Sequence, residues 1–270
     1  MKKKLSLFCL IAFIPCLSFA QKGGVTIFAG FNHALGNFYS VDLEKNDWAL
    51  ASRTSTKCGA GSGFDIGLNY CIPLDSAGFI NFTASVDFLY TESNSEVTTS
   101  MYNMIFDATE NFDKVSISAP NYKNLPVLLG LRFMLPKEKV NLYFDAQLGA
   151  TYRWTKGRIV NLVGGKEPFT IDVNEAYYDF SYSDHFDSGL SFAFHLSVGV
   201  IGKKHWTIDL GVWHLGTSRL SGYEDFEIRT EENPNTVVKG SQSITAGEIT
   251  PLLATFRVGY NFSLAHHGCR

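Results

Sequence analysis

Three residues near the middle of the chain have types and spacing that could do chemistry together. His195 and Ser197 are two apart, so on an extended strand they share a face. Asp209 falls on the next stretch of strand-like pattern, at a height where it could reach them. Acyl transfer needs such a set, with serine attacking, histidine taking its proton and an acid orienting the imidazole. The competing reading is interior packing, because the neighbours are small (Ser191, Ala193, Gly199) and Arg257 competes for Asp209. A second cluster, Asp184, His185 and Asp187, puts three possible metal donors within four residues. Those spacings match no regular zinc pattern, and we expect neither metal nor cofactor.

More charges share the same alternating faces: Asp65, Asp87, Arg132, Asp145, Arg153, Asp187, Asp209 and Arg257. In a low-dielectric setting each must be paired or hydrogen-bonded. Hairpin arithmetic across residues 136–139 sets Arg132 opposite Asp145. Similar heights bring Arg257 to Asp209, Arg153 to Asp187 near an outer rim, and Asp65 to Asp87 across the turn at 73–78. The main expectation is a salt-bridged filling; a gated polar path or binding site is the alternative.

What positions these groups is a set of long strands. In VNLYFDAQLGATYRW, residues 140–154, the apolar Val140, Leu142, Phe144, Ala146, Leu148, Ala150, Tyr152 and Trp154 alternate with residues such as Asp145, Gln147 and Arg153. Period two sustained this long is a strand signal. It recurs, and predicts eight strands at about 24–33, 60–73, 79–91, 122–135, 140–154, 187–201, 205–216 and 250–263. The first is the least regular, since Phe28 falls on its polar face. Three connections are short, at 73–78, 136–139 and 202–204. The other four run to about 26 to 33 residues. Short turns at one end and long loops at the other describe an up-and-down meander.

The apolar faces are expected to look outward. Strands of ordinary soluble proteins have about 5–6 residues, whereas crossing a bilayer takes about 9–11 tilted ones. A soluble barrel of lipocalin type would turn its apolar face inward around a ligand. Its outer face would then be one dotted with Gly67, Gly130, Gly149, Gly189, Gly199, Gly211 and Gly259, poor in lysine and glutamate. That composition suits a crowded lumen better. Tyr90, Tyr152, Trp154, Trp206, Tyr260 and Phe262 fall near strand ends, as interfacial girdles do. Eight strands leave room for side chains and little else, so an open pore is not expected.

The N-terminus reads as a secretory signal: Lys2, Lys3 and Lys4, an apolar run to Pro15, then Ser18-Phe19-Ala20 as the cleavage site. The expected organisation is signal peptide 1–20, barrel with outer loops 21–264 and tail 265–270. A formal charge of −3 argues against a nucleic-acid partner. Beyond the signal, Cys58, Cys71 and Cys269 are too few and too irregular for a disulfide framework. The outer loops total roughly 120 residues, more than turns require. They carry the aromatics Tyr177, Tyr178, Phe180, Tyr182, Tyr223 and Phe226, which could grip a sugar or protein or pack loop on loop. Residues 92–113 read as a Ser/Thr/Asn-rich loop.

Two resemblances add to this reading. His195-x-Ser197 resembles the His-x-Ser set of outer-membrane lipid A deacylases, with Asp209 standing where that family has a glutamate. Those enzymes act on the lipid side of the barrel, whereas this set is expected to point inward. More broadly, YKNLPVLLGLRFML at 122–135, with FDAQLGATY at 144–152 and FRVGYNFSL at 256–264, resembles the small outer-membrane β-barrel proteins of Bacteroidota, porin-like and mostly uncharacterised. The likeness runs over about residues 24–264 and implies the fold far more than any activity. The chain departs from it in continuing past Phe262 to Arg270.

The expectation is therefore an all-β protein, an eight-stranded antiparallel up-and-down transmembrane β-barrel, monomeric, plugged and salt-bridged. It is expected in a bacterial outer membrane among lipid and lipopolysaccharide, serving surface interaction or envelope maintenance toward a glycan or protein ligand, and not as an enzyme. The alternatives are a narrow pore for small solutes, a lipid-modifying hydrolase, and a soluble lipocalin-like binding barrel.

Overall fold

The computed structural model describes residues 23–41, 57–106, 112–137, 140–165, 169–172, 175–202, 205–230 and 235–263. The signal at 1–20, the tail at 265–270 and Cys269 lie outside them. The elements in order are β1 (Gly24–Ala34), a 3-10 turn (Gly36–Phe38), β2 (Ala60–Pro73), β3 (Ile80–Ser93), α1 (Ser95–Phe106), β4 (Lys114–Ser118), β5 (Asn121–Pro136), β6 (Val140–Val163), β7 (Phe169–Asp172), β8 (Glu175–Phe186), β9 (Gly189–Gly202), β10 (Trp206–His214), β11 (Ser218–Thr230), β12 (Val238–Ile249) and β13 (Leu252–Ser263).

Eight of these strands close a ring, β1-β2-β3-β5-β6-β9-β10-β13 and back to β1, every contact antiparallel. The fold is an eight-stranded closed antiparallel β-barrel. Its short turns gather at one end, called inner here. There Asp75 accepts hydrogen bonds from the backbone N–H groups of Ile80 (2.9 Å) and Phe79 (3.3 Å). Those bonds, that of Ile80 first, hold its exposed carboxyl below the usual carboxylate range.

The pleat decides which side chains meet what. Along β6, Leu148 is 61 % exposed on the outside while Asp145 is 1 % exposed within; on β9 Phe192 is 58 % exposed, and on β13 Phe256 lies outside while Arg257 is buried. The exposed large residues form a belt, with Ile27, Phe64, Leu68, Val127, Leu131, Leu196, Leu210 and Val258 among them. Water would not tolerate a contiguous apolar surface of this extent on a monomer; the hydrocarbon of a bilayer requires it. Tyr152 packs on Trp154 near the outer edge (5.5 Å between rings) and Tyr260 on Phe262 near the inner edge (4.8 Å). No helix among the described residues is long and apolar enough to cross a membrane, which says nothing of strands.

Above the barrel the chain builds more sheet. β6 is 24 residues long. Its lower part pairs with β9 from Val140↔Gly202 to Arg153↔Gly189, and from Lys156↔His185 upward it pairs with β8 instead. β8 pairs with β11 and β11 with β12, while β4 pairs with the other edge of upper β6 and β7 with β8. The loops between the outer strand ends are thus partly a surface sheet that continues the barrel wall. Residues 95–106, expected as loop, form a helix. Asn94 caps it by accepting from the backbone N–H of Val97 (3.0 Å), and Val97 and Met101, one turn apart, are buried beneath it.

The interior is crowded enough that some positions admit only hydrogen. A Cβ on Gly67 would run into the Asp87 carboxylate, and one on Gly199 into the Tyr143 ring. Gly67→Val is therefore expected to push Asp87 away from its arginine and weaken the barrel by about 1–3 kcal/mol or more. Unfolding in urea, followed by the shift between folded and unfolded mobility on unheated gels, reads the loss; a midpoint equal to wild type would contradict this packing.

Candidate functional site

The lumen carries a continuous polar network in its inner and middle thirds. Near the inner end Arg132 grips Asp145 with two parallel bonds, Nε to Oδ1 and Nη2 to Oδ2, both 2.7 Å. Its guanidinium lies over the Tyr143 ring at 4.1 Å. Tyr143 donates its hydroxyl to Asp209 (2.8 Å), whose other oxygen takes Arg257 through Nε (2.8 Å) and Nη2 (2.5 Å). Arg257 reaches on to Asp87 with Nη1 (3.1 Å) and rests on the face of Phe28 at 4.6 Å. The apolar residue that made the first strand irregular in sequence is thus the platform for the central arginine.

Two expected pairings take other forms. Arg153 does not meet Asp187. It bonds to Asn124 (3.0 Å), to the carbonyl oxygens of Leu215 (2.6 Å) and Gly216 (3.2 Å), and to the hydroxyls of Ser191 (3.4 Å) and Ser218. Asp187 is exposed at the corner between β8 and β9 and accepts from Ser221 (3.2 Å). The reason is that β8 leaves the barrel wall for the surface sheet, so Asp187 never enters the lumen. Asp65 does not face Asp87: their cross-strand partners are Leu89 and Gly67. Both Asp65 oxygens are buried without a hydrogen-bond partner, in the field of Arg257.

The outer third is closed mainly by apolar side chains. Phe38, Val97, Met101, Phe112, Tyr122, Leu162, Leu215, Leu220, Ile249 and Leu253 form one buried cluster across the mouth. Tyr122 stacks edge-on against Phe38 (5.0 Å) and donates to the carbonyl of Cys58 (2.5 Å). Burial there pushes the Cys58 thiol up to about 12, so it is no nucleophile at neutral pH. Arg153 ties the Leu215–Gly216 turn into this cap from below. Above an inner-end cleft of about 440 Å³ bordered by Asn81, Arg132 and Asn141, the lumen is filled, with charge in the middle and mainly apolar side chains above.

His195, Ser197 and Asp209 do line the lumen together, but no hydrogen bond joins His195 to either partner among the described residues. The imidazole instead lies flat on Trp213, 4.0 Å between ring centres. Arg257 and Tyr143 already take both Asp209 oxygens. All three residues are buried away from the lipid face. The geometry is that of packing and not of an assembled acyl-transfer set. The Asp184, His185, Asp187 cluster also separates. Asp184 accepts from Arg158 (2.9 Å) on one face of β8, while His185 meets Asp225 (3.3 Å) on the other. No group of three or more metal-ligating side chains occurs among the described residues.

The loop aromatics divide between two faces of the surface sheet. Tyr223 is 47 % exposed and stacked on His185 (4.7 Å), facing out. Tyr182 stacks on Phe180 (6.5 Å) and donates to Glu224 (2.7 Å) on the opposite face, which Phe226 shares. Tyr178 lies under Arg229 at 5.3 Å. The Tyr177 side chain lies outside the described residues. Sequence reasoning missed a second set. His33, Tyr39, Ser62, Glu92, Ser93, Asn94, Ser95, Thr98 and Thr99 line a cleft of about 440 Å³ at the outer rim, between β1–β3 and α1. Its only advance signal was the hydroxyl-rich run that begins at Glu92.

These features define a class: a membrane-facing eight-stranded barrel with a filled lumen and a surface sheet. Comparison with known proteins yields only distant structural likenesses. No protein-family model and no curated protein matches the chain. Among solved structures it is similar to Ail, the attachment invasion locus protein of Yersinia pestis (15 % identity, 90 % of this chain and 100 % of that one, TM-score 0.37). It is also similar to the outer membrane protein OprG of Pseudomonas aeruginosa (13 %, 90 % and 96 %, TM-score 0.37) and to a major outer membrane protein of Thermus thermophilus (11 %, 89 % and 98 %, TM-score 0.38).

Proposed function

We propose that this chain is an exported bacterial outer-membrane barrel that works at the cell surface, by contact, and conducts nothing. The observation that carries this is the doubly sealed lumen beneath a built surface sheet. A pore needs a continuous wet path, and among the described residues the Arg132–Asp145 and Arg257–Asp209–Asp87 pairs followed by the apolar cap speak against one. A lipid-modifying hydrolase needs its nucleophile and base in contact with each other and open to lipid, and His195 and Ser197 are neither. The surface sheet of upper β6, β8, β11 and β12 gives β11 and β12 work that short turns could not do. The resemblance of residues 122–135 to Bacteroidota barrels, the signal at 1–20 and a monomeric state in lipid and lipopolysaccharide belong to the same proposal.

The test has two arms. Purified barrel in planar bilayers is expected to give a flat baseline. In a screen against surface glycans, host proteins and envelope partners, intact barrel is expected to retain a ligand. Steady single-channel conductance, or an intact barrel that retains nothing, overturns the proposal.

A further inference from the structure

We propose that the rim cleft between β1–β3 and α1 is a subsite for a neutral pyranose ring, a hexose or N-acetylhexosamine unit of a surface glycan. This names a ligand class for the surface reading above and rests on it. The cleft is concave, at about 440 Å³ near the lower end of ordinary ligand pockets, which run to roughly 300–1,000 Å³. One wall is aromatic. Tyr39 is 38 % exposed and is steadied by the His33 ring, 5.3 Å away and tilted by 44°. An amphipathic ring of this kind offers a flat apolar surface together with a hydroxyl, which matches the apolar C–H face and polar rim of a pyranose.

The polar part of the lining is already fixed in place. Asn94 is buried and committed on both sides, donating to the carbonyl of Tyr39 (3.0 Å) and accepting from the backbone N–H of Val97 (3.0 Å). Ser93 donates to the carbonyl of Pro120 (2.8 Å). His33 Nδ1 and Ser62 Oγ share a 2.8 Å hydrogen bond, which holds the imidazole at the rim. A ligand therefore meets a site that has already lost its freedom, and that lowers the entropic cost of binding. Exposed Glu92, Ser95 and Thr99 remain to bond sugar hydroxyls. Charge narrows the class further. Among the described residues the lining contains one carboxylate and no lysine or arginine, so sulfated, phosphorylated and uronic sugars would bring like charge to Glu92. The site faces outward above the lipid belt, where a glycan is at hand either free or as the sugar headgroup of the membrane's own glycolipid.

The full barrel in phospholipid nanodiscs, probed by saturation-transfer NMR with methyl glycosides of neutral hexoses, N-acetylhexosamines and uronic acids, tests this. Wild type is expected to transfer saturation to ring protons of a neutral sugar and not to the uronic acids. Tyr39→Ala should weaken binding at least tenfold and Glu92→Gln several-fold; both residues are exposed, so the fold stays intact and is checked by gel mobility. Nanodiscs containing lipopolysaccharide separate the sources. A lost free-sugar signal there marks the membrane's own glycolipid as the occupant, and an unchanged signal marks a soluble glycan. Absence of transfer from wild type to every neutral sugar, or variants that bind as wild type does, overturns the inference. If the surface screen finds a ligand while the rim variants bind it normally, the cleft alone is wrong; if intact barrel retains nothing, the surface reading falls as well.

Discussion

Arg257→Met is expected to cost the barrel about 3–5 kcal/mol, because it leaves Asp209 and Asp87 buried without their cation. Both carboxylates sit at 2 % exposure or less, so water cannot replace the guanidinium. Tyr143 would still donate to Asp209, but Asp87 would lose its only charged partner among the described residues. The loss should appear as a large drop in the urea midpoint for folding into liposomes. Restoring neutrality should recover much of it: the triple change Arg257→Met, Asp209→Asn, Asp87→Asn is expected to fold markedly better than Arg257→Met alone, since an uncharged buried amide is far cheaper than an unpaired carboxylate. An Arg257→Met protein as stable as wild type would mean that the network is decorative.

The second large effect lies on the other side of the wall. Leu148 stands mid-strand on β6 at 61 % exposure, flanked across the ladder by Leu129 and Phe194. Leu148→Arg places a charge in the hydrocarbon and is expected to destabilise the folded barrel by about 2–4 kcal/mol. The matched control is Ser241→Arg, exposed on β12 in the surface sheet, where the same charge meets water and should change little, within about 0.5 kcal/mol. In water the two sites would behave alike, so equal midpoints for the two variants would remove the lipid from around the belt.

The barrel was legible because its two environments alternate residue by residue. A strand with lipid on one face and a packed lumen on the other must write period two into its sequence, and β9 and the barrel part of β6, residues 140–154, do so. Two ion pairs were legible for a related reason. Arg132 and Asp145 flank a turn so short that only one register fits, and Arg257 and Asp209 sit at matching heights on strands that pair directly. The Arg153–Asp187 pairing failed where that logic stops: a long connection does not fix register, and β8 uses the freedom to leave the wall. The surface sheet was obscured because β8 and β11 turn polar and aromatic residues to both faces, which blurs the alternation. The helix at 95–106 hid in a run of serine and threonine, although Asn94 as cap, Glu96 in the first turn and Val97 with Met101 one turn apart were there to be read. Beyond the hydroxyl-rich run that begins at Glu92, the rim cleft has no linear signature. It exists only because the 3-10 turn, the ends of three strands and a helix N-terminus converge.

The single strand that runs from the inner turn to the top of the surface sheet has a mechanical consequence. A pull applied at the top of the sheet travels down β6 along its own axis. The bonds it shares with β5 and β9 lie across that axis, so they resist together in shear and do not open one by one like a zipper. The surface sheet is thereby moored to the wall along the whole lower length of one strand.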